Sequence, residues 1–227
     1  MTTYTKEPQY QSHIEMAEQL GLAKLPIRAS VMWRTDPRLL VFTLSRYKFI
    51  SKMLSGKNRV LEVGCGDAFG ARIVQQEVGS LCASDFDPLF IEAVRQNMEP
   101  EWFFDCVVHD MLAGPMAEKF DAAYALDVIE HIPEQDELAF IGNMAASLKE
   151  HGVMIIGQPS LESQAYASEG SKAGHVNCKT GKGLRRLMEQ FFHNVFIFSM
   201  NDEVVHTGFA PMAHYLFALC TDRKAAP

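Results

Sequence analysis

The sequence has no long hydrophobic run, no cluster of basic residues and no paired cysteines. No segment reaches the roughly 18 apolar residues that a membrane-spanning helix needs, and the first part of the chain lacks the apolar core of a secretory signal. The chain carries 21 basic and 28 acidic residues, for a formal net charge of −7, and no run of five basic residues occurs. These absences argue against a membrane or a nucleic acid as partner and favour a small-molecule partner.

The cysteine content also excludes several classes of protein. There are five cysteines, an odd number, and no two of them form a Cys-x-x-Cys pair. A disulfide framework or a structural zinc site is therefore not expected, and a reducing, cytoplasmic location is predicted. We also expect no bound metal ion.

Short apolar runs alternate with amphipathic stretches through most of the 227 residues. This pattern is typical of βα units, in which helices cover both faces of a mainly parallel sheet. The predicted strands lie near residues 59–63, 80–84, 103–108, 121–126 and 152–157, and the predicted helices near 68–78, 88–98 and 134–149. The expected fold class is therefore α/β, with a doubly wound sheet and one core.

The two ends of the chain differ from this pattern. Asp36 and Pro37 predict an N-cap followed by the first residue of a helix that ends near Gly56, so residues 1–55 are expected to form a helical cover. Near the other end, a helix is predicted at 184–192 and strands at 194–200 and 214–220. These two strands should pair antiparallel, because their connection is too short for a helical crossover. The main domain is expected over residues 56–222, followed by a tail at 223–227.

The stretch VLEVGCGDAFGA contains a glycine turn between a strand and a helix. A dinucleotide site needs a third glycine at the position that Phe69 occupies, so a bound pyrophosphate is not expected. Glu62 and Asp67 flank Gly64 and Gly66 and would repel an anion near the helix N-terminus. The turn therefore favours a ligand with ammonium or sulfonium charge, although a purely structural turn with surface acids is the alternative.

A second acidic residue follows the next predicted strand. Asp85 lies 21 positions after Gly64, where a carboxylate accepts the hydroxyls of a ribose in nucleotide-binding α/β folds. Asp87 precedes Pro88 and is interpreted as the N-cap of the following helix.

These motifs, in order and spacing, resemble those of the class I S-adenosylmethionine-dependent methyltransferases. The resemblance covers about residues 55–160, and the matching stretches are VLEVGCG, ASDFD, HDM at 109–111, FDAAYALDVIEHI and LKEHGVMIIGQPS. It implies a Rossmann-like fold with a reversed C-terminal strand, methyltransferase activity and S-adenosylmethionine as cofactor. One departure is Ala68, which stands where the family has a third glycine.

The resemblance also implies a role for each matched position. Three residues would lie along the methionine part of the cofactor: Glu62, Gly64 and Gly66. Asp85 would hold the ribose, and its neighbour Phe86 is also expected to contact the cofactor. The adenine would lie between Asp110 and Met111, and Asp127 would be near the methionine end.

Methyl transfer to a hydroxyl requires a base, because the hydroxyl loses its proton. His131 and His175 are the predicted catalytic residues: the first follows the fourth strand, and the second lies in a polar loop after the fifth. His206 is a further candidate, and His109 is expected beside the adenine. A metal site built from His175, His206 and either Asp202 or Glu203 is an alternative, but its ligands lack close spacing.

The acceptor class follows from the turn after the fourth strand. The Asn/Asp-Pro-Pro-aromatic turn of base and amide methylases is absent, and DVIEH resembles the turn of small-molecule methyltransferases. The C-terminal stretch NDEVVHTGFAPMAHYLFALC also resembles relatives in bacterial surface-carbohydrate pathways. We therefore predict a sugar or sugar-nucleotide hydroxyl as acceptor, with a phenolic or quinone precursor as the alternative. Aromatic and basic residues that could contact a phosphorylated acceptor are Trp33, Arg34, Arg38, Arg46, Tyr47, Lys172, Lys179 and Lys182.

Two other classes of protein fit parts of the same pattern. One is a regulatory protein that binds S-adenosylmethionine without catalysis. The other is a nicotinamide-dependent oxidoreductase, which would be stabilised by NAD instead. The oligomeric state is not indicated by the sequence.

Overall fold

The computed structural model describes residues 4–225, so the first three residues of the expected cover and the last two of the expected tail lie outside the described part. Within residues 4–225 the chain forms one mixed sheet. Its strands are β1 (Arg59–Val63), β2 (Ser80–Asp85), β3 (Asp105–Val108), β4 (Phe120–Leu126), β5 (Leu148–Pro159), β6 (Phe192–Asn201), β7 (Val204–His206) and β8 (Tyr215–Arg223).

Helices precede, connect and flank these strands. They are α1 (Gln11–Leu20), α2 (Ile27–Thr35), α3 (Pro37–Met53), α4 (Ala71–Gln75), α5 (Pro88–Asn97), α6 (Glu137–Ala146), α7 (Glu169–Gly174) and α8 (Gly181–Met188). Helix α3 begins as predicted, with the Asp36 side chain accepting a hydrogen bond from the Arg38 amide and Pro37 in the first turn.

The strand order in the sheet is β3-β2-β1-β4-β5-β8-β6-β7. Neighbouring strands from β3 to β5 are parallel, whereas β8 is antiparallel to both β5 and β6. The predicted α/β fold, with a mainly parallel sheet and an antiparallel pair near its C-terminal end, is therefore confirmed.

The alternation of side chains along β1 divides the core between the two faces of the sheet. Leu61 and Val63 contribute to a cluster with apolar residues of α6 and α8. Val60 faces the other side, where residues of α3, α4 and α5 pack. Because side chains two positions apart share a face, Glu62 points toward the same side as Val60 and lies beneath α3.

Several element boundaries differ from the predicted ones. Helix α4 covers only Ala71–Gln75 because the preceding residues form the glycine turn, in which Ala68 has a φ of +51°. Helix α6 ends at Ala146, and β5 begins at Leu148 through a register shift against β4.

At the C-terminal end, β8 continues to Arg223, one residue into the expected tail. Strand β7 was not predicted. Its three residues form a short hairpin with β6, in which Asp202 has a φ of +51°.

All five cysteines are free thiols, in agreement with the expectation of no disulfide framework. Across residues 4–225, no helix has both the length and the apolar character needed to cross a bilayer.

Candidate active site

A cavity of about 650 Å³ lies where the strand order reverses between β1 and β4. Ligands of open α/β sheets bind at such a switch point, outside the carboxyl ends of the strands. The lining comes from the segments that follow β1, β2, β3 and β4, and includes Gly64, Gly66, Asp85, Phe86, His109, Asp110, Met111, Asp127, Val128 and His131.

The glycine turn forms part of the cavity wall and needs glycine at two positions. Gly64 and Gly66 have φ values of +72° and +53°, in the left-handed region that other residues rarely adopt. A Cβ on Gly64 would lie 2.4 Å from Cγ2 of Val128, and one on Gly66 would lie 3.0 Å from Nη1 of Arg28. The backbone therefore reaches the cavity without a side chain in the way.

Asp85 is buried at the cavity wall, and both of its oxygens are held by backbone amides. Oδ2 accepts from the Gly66 amide and Oδ1 from the Asp87 amide, each at 2.9 Å. The carboxylate thus ties the glycine turn to the end of β2, and its remaining lone pairs can still accept from a ligand hydroxyl. Asp87 caps α5 as predicted, since its side chain accepts from the Leu89 amide.

The segment after β3 contributes a second wall. Asp110 Oδ1 accepts from the Leu112 amide at 2.8 Å, which fixes the turn. Met111 is buried beside it, and its carbonyl oxygen accepts from Asn143. Phe86 is 72% exposed and lines the same cavity, as does His109. Four of the residues matched by the resemblance are therefore close enough to share one ligand with Gly64 and Gly66: Asp85, Phe86, Asp110 and Met111.

Glu62 does not line this cavity, unlike its matched neighbours. It is 2% exposed, and its Oε1 accepts a hydrogen bond of 2.7 Å from the hydroxyl of Tyr47 on α3. Burial raises the pKa of Glu62 to about 7, because the surroundings disfavour the charged carboxylate. The same bond explains why Tyr47, expected near the acceptor, is buried beneath the turn instead.

The raised pKa of Glu62 predicts a pH-dependent loss of stability. An acid that titrates at about 4.5 when unfolded and about 7 when folded binds more protons in the folded state between these values. The free energy of unfolding should therefore fall by about 3 kcal/mol as pH rises through this window. Glu62→Gln should remove this fall, as measured by urea unfolding at a series of pH values. Parallel pH profiles of the two proteins would contradict the assignment.

Asp67 has a different role from the one that the sequence indicated. Its Oδ2 accepts from the backbone amides of Arg28 and Ala29, at 2.6 and 3.2 Å. These amides belong to the first turn of α2, whose N-cap is Pro26 and has no side-chain acceptor of its own. The carboxylate therefore caps a helix, and the idea that it selects a cationic ligand is not supported by its contacts.

Asp127 lies directly after β4 and is bound by an arginine of the N-terminal segment. Nη1 of Arg46 donates to both carboxylate oxygens, at 2.9 and 2.7 Å. The guanidinium also stacks on the ring of Tyr215, 4.0 Å from its centroid. Asp127 itself has a φ of +56°. This pair joins α3 to the edge of the sheet where the cavity opens.

The two histidines predicted to be catalytic are adjacent, although only one lines the cavity. His131 is exposed at the cavity wall, and its Nδ1 lies 2.8 Å from the Gly174 carbonyl oxygen. His175 packs against it, with ring centroids 5.3 Å apart, and its Nδ1 lies 2.8 Å from Oε1 of Gln164. Burial, together with the neighbouring His131, lowers the pKa of His175.

Glu130, next to His131, is an acid that the sequence interpretation did not single out. It has no exposed surface, and its burial together with Asp127 raises its pKa well above the ordinary value.

His206 is bonded within the β6–β7 hairpin, to Asn201 Oδ1 and the Gly208 amide.

Most of the cations that were expected to contact a phosphorylated acceptor are paired with carboxylates. Nζ of Lys179 lies 2.7 Å from Oε2 of Glu137, and Nζ of Lys172 lies 3.1 Å from Oε1 of Glu169. The guanidinium of Arg38 pairs with the carboxylate of Asp36. These pairs reduce the positive charge available to a phosphate group.

Arg28 is a cavity residue that the sequence did not reveal. It belongs to α2 and reaches the wall beside Gly66. Apolar residues that were also missed are Phe90, Leu112, Val128, Ile132, Pro133 and Phe140. Arg28, Phe90 and Phe140 reach the cavity through the packing of α2, α5 and α6 on the sheet, for which the local sequence carries no signal, and the other four lie in the segments after β3 and β4.

The reversed strand order, the glycine turn and the buried Asp85 define a Rossmann-like protein with a ligand site at the switch point. A family model described as a methyltransferase domain matches residues 32–191, and the chain therefore belongs to this family. The resemblance to the class I S-adenosylmethionine-dependent methyltransferases is confirmed, and S-adenosylmethionine is the methyl donor that this membership implies.

Known proteins agree with this assignment at low sequence identity. The ubiquinone biosynthesis O-methyltransferase of Xanthomonas campestris pv. campestris (strain B100) is 26% identical over 167 residues, which cover 70% of this chain and 69% of the relative.

Two solved structures share the fold. One is the N-methyltransferase NodS of Bradyrhizobium japonicum WM9 in complex with S-adenosyl-L-homocysteine, with a TM-score of 0.61, 19% identity and coverage of 84% of this chain and 91% of that one. The other is a TehB-like S-adenosylmethionine-dependent methyltransferase of Corynebacterium glutamicum, with a TM-score of 0.59, 18% identity and coverage of 86% and 96%.

Proposed function

We propose that this protein transfers a methyl group from S-adenosylmethionine to a hydroxyl group of a small molecule. The observation that carries the proposal is the single cavity that joins the glycine turn, Asp85 and His131. One end of this cavity has the features of a nucleoside site, and His131 supplies a group that can accept a proton. A volume of about 650 Å³ is in the range of small-ligand sites.

The residues present suit S-adenosylmethionine better than a dinucleotide. The positive-φ glycines let the backbone approach the ligand closely. Asp85 retains lone pairs for the ribose hydroxyls, and Met111 with Leu112 and Phe90 supplies apolar surface for an adenine. The position three residues after Gly66, where a dinucleotide site needs its third glycine to hold a pyrophosphate, is occupied by Phe69.

The proposed base is Nε2 of His131. A carbonyl oxygen can only accept, so the contact with Gly174 requires that Nδ1 of His131 carries the proton. Nε2 then has a free lone pair for the proton of the acceptor hydroxyl. When bound, S-adenosylmethionine supplies a methyl group on a sulfonium sulfur: the S–CH₃ bond breaks, an O–CH₃ bond forms and S-adenosylhomocysteine remains. His175, behind His131, is a second candidate that does not line the cavity.

A phenolic or quinone-precursor acceptor is the better supported of the two predicted classes. The curated relative is named for O-methylation in ubiquinone biosynthesis, and much of the cavity lining is apolar. The pairing of Lys172, Lys179 and Arg38 with carboxylates weakens the case for a sugar nucleotide or another phosphorylated acceptor. A neutral sugar hydroxyl remains the second candidate.

Calorimetric titration with S-adenosylmethionine and S-adenosylhomocysteine tests cofactor binding, and we expect both to bind. Release of S-adenosylhomocysteine should then be measured with catechols, hydroxylated prenylphenols and sugar nucleotides, and catechols should give the highest rates. His131→Ala should lower turnover by roughly 10²- to 10⁴-fold with unchanged cofactor affinity, because a general base contributes about this much.

Each alternative predicts a different result. Loss of less than tenfold in both His131→Ala and His175→Ala would exclude the proposed base. Cofactor binding without turnover on any acceptor would favour the regulatory protein.

A further inference from the structure

The turn after β4 and the loop after β5 bring three potential metal ligands together. One ring nitrogen each of His131 and His175 and one carboxylate oxygen of Glu130 lie within 4.8 Å of one another. Among residues 4–225, no other set of three histidine, cysteine or acidic side chains meets this criterion. The three residues belong to segments about 45 positions apart in sequence, so the fold itself creates the cluster.

The buried, unpartnered carboxyl group of Glu130 points to a ligand in this cluster. Its side chain has no exposed surface, and neither carboxylate oxygen has a hydrogen-bond partner among the described residues. Burying an unpaired carboxylate is costly, and proteins compensate such groups by pairing them or by metal coordination. The nearby Arg46 is bonded to Asp127 instead.

Each of the two histidines has one ring nitrogen fixed by an oxygen acceptor. Nδ1 of His131 contacts the Gly174 carbonyl and Nδ1 of His175 contacts Oε1 of Gln164, each at 2.8 Å. Both partners are acceptors, so each Nδ1 carries a proton and each Nε2 has a free lone pair. Metal-binding histidines are typically fixed in this way, by donating the other ring N–H to an oxygen.

We propose that Glu130, His131 and His175 bind a divalent transition-metal ion. Two imidazoles and a carboxylate suit Zn²⁺, Co²⁺, Mn²⁺ or Fe²⁺ better than Ca²⁺ or Mg²⁺, which favour oxygen ligands alone. This set differs from the sequence-based alternative, because the ring nitrogens of His206 are bonded to Asn201 and Gly208. Asp127 is held by Arg46, so the protein supplies three ligands and leaves coordination positions open.

His131 lines the cavity, so an ion held by this cluster would lie next to the acceptor. A hydroxyl bound there would have a lowered pKa and would reach the methyl group as an oxyanion, with its proton released to solvent. In the metal-bound protein the ion would activate the hydroxyl, and the role of His131 as base applies to the metal-free protein. This catalytic part rests on the proposed function, whereas metal binding itself does not.

The test is to treat the full chain with a chelator and then titrate it with Co²⁺, using the visible d–d absorption of the bound ion to measure binding. We expect one equivalent to bind and Zn²⁺ to displace it. Glu130→Gln keeps the shape of the side chain and should weaken binding at least tenfold, and the double variant His131→Ala/His175→Ala should abolish it. His206→Ala is the matched control and should bind like the unmodified protein, with circular dichroism to verify that all variants fold.

No absorption with the unmodified protein, or equal affinity in Glu130→Gln, would overturn the proposal. If the double variant does not fold, the Co²⁺ affinities of the unmodified protein and of Glu130→Gln still test the proposal. Binding of S-adenosylhomocysteine is measured separately on metal-free protein. Metal binding without cofactor binding would contradict the proposed function alone, and the reverse result would contradict the metal site alone.

Discussion

Asp85→Ala is expected to weaken binding of S-adenosylmethionine by at least about 100-fold. Two effects combine. Each charge-assisted hydrogen bond to a ribose hydroxyl contributes about 1.5–3 kcal/mol, and tenfold in affinity corresponds to about 1.4 kcal/mol. The substitution also frees the Gly66 amide, which Asp85 holds at 2.9 Å, so the glycine turn loses its anchor. Calorimetric titration of the purified variant measures the effect.

Asp87→Ala is the matched control for this experiment. The two aspartates are neighbours at the end of β2 and both line the cavity, but the Asp87 carboxylate caps α5 through the Leu89 amide. Its loss should lower the free energy of unfolding by about 1 kcal/mol and leave cofactor affinity nearly unchanged. Equal losses of affinity in the two variants would show that Asp85 acts only through the local fold, and would remove the proposed ribose contact.

Arg46→Ala should lower the free energy of unfolding by about 3–5 kcal/mol, the usual effect of removing one partner of a buried ion pair. The side chains of Arg46 and Asp127 are only 20% and 18% exposed, and Nη1 of Arg46 lies 2.7 Å from Oδ2 of Asp127. The variant leaves the Asp127 carboxylate without its partner and removes the guanidinium from the Tyr215 ring. Urea unfolding of both proteins provides the measurement.

Arg38→Ala is a suitable comparison, since Arg38 also lies on α3 and also pairs with an aspartate, but at the surface. Ion pairs at the surface contribute little to stability, so the free energy of unfolding of the Arg38→Ala variant should be close to that of the unmodified protein. Asp127→Asn is the second substitution of a double-mutant cycle, because asparagine tolerates the positive φ at this position. In the Asp127→Asn background, Arg46→Ala should lower the free energy of unfolding much less than it does in the unmodified protein. Additive losses would show that the two side chains do not interact.

The fold could be predicted because its signals are local. Short apolar runs, helical spacing, the cap at Asp36 and the glycine turn can all be recognised within short windows of sequence. Asp85, Asp110 and Met111 follow successive parallel strands, whose carboxyl ends share one edge of the sheet. Their convergence on a single cavity therefore follows from the topology.

The contacts that the sequence did not predict involve side chains whose partners are distant in sequence. Glu62 was expected at the ligand, but the alternation along β1 directs it beneath α3, where Tyr47 binds it. Asp67 looked like a ligand-facing acid, and its real partners lie 38 and 39 residues away. Glu130 escaped notice because an acid beside a histidine is ordinary in sequence, and only the structure shows that it is fully buried.

The cap that Asp67 provides has a consequence for the order of folding. Helix α2 has nine residues and begins at a proline cap, and isolated helices of this length are marginal in water. Its first turn is completed only by a carboxylate that is synthesised 39 residues later. During translation, the segment that covers the cavity should therefore stay unformed until β1 and its glycine turn have emerged and docked. A nascent chain truncated before Asp67 should show no protected amides in α2 by hydrogen exchange.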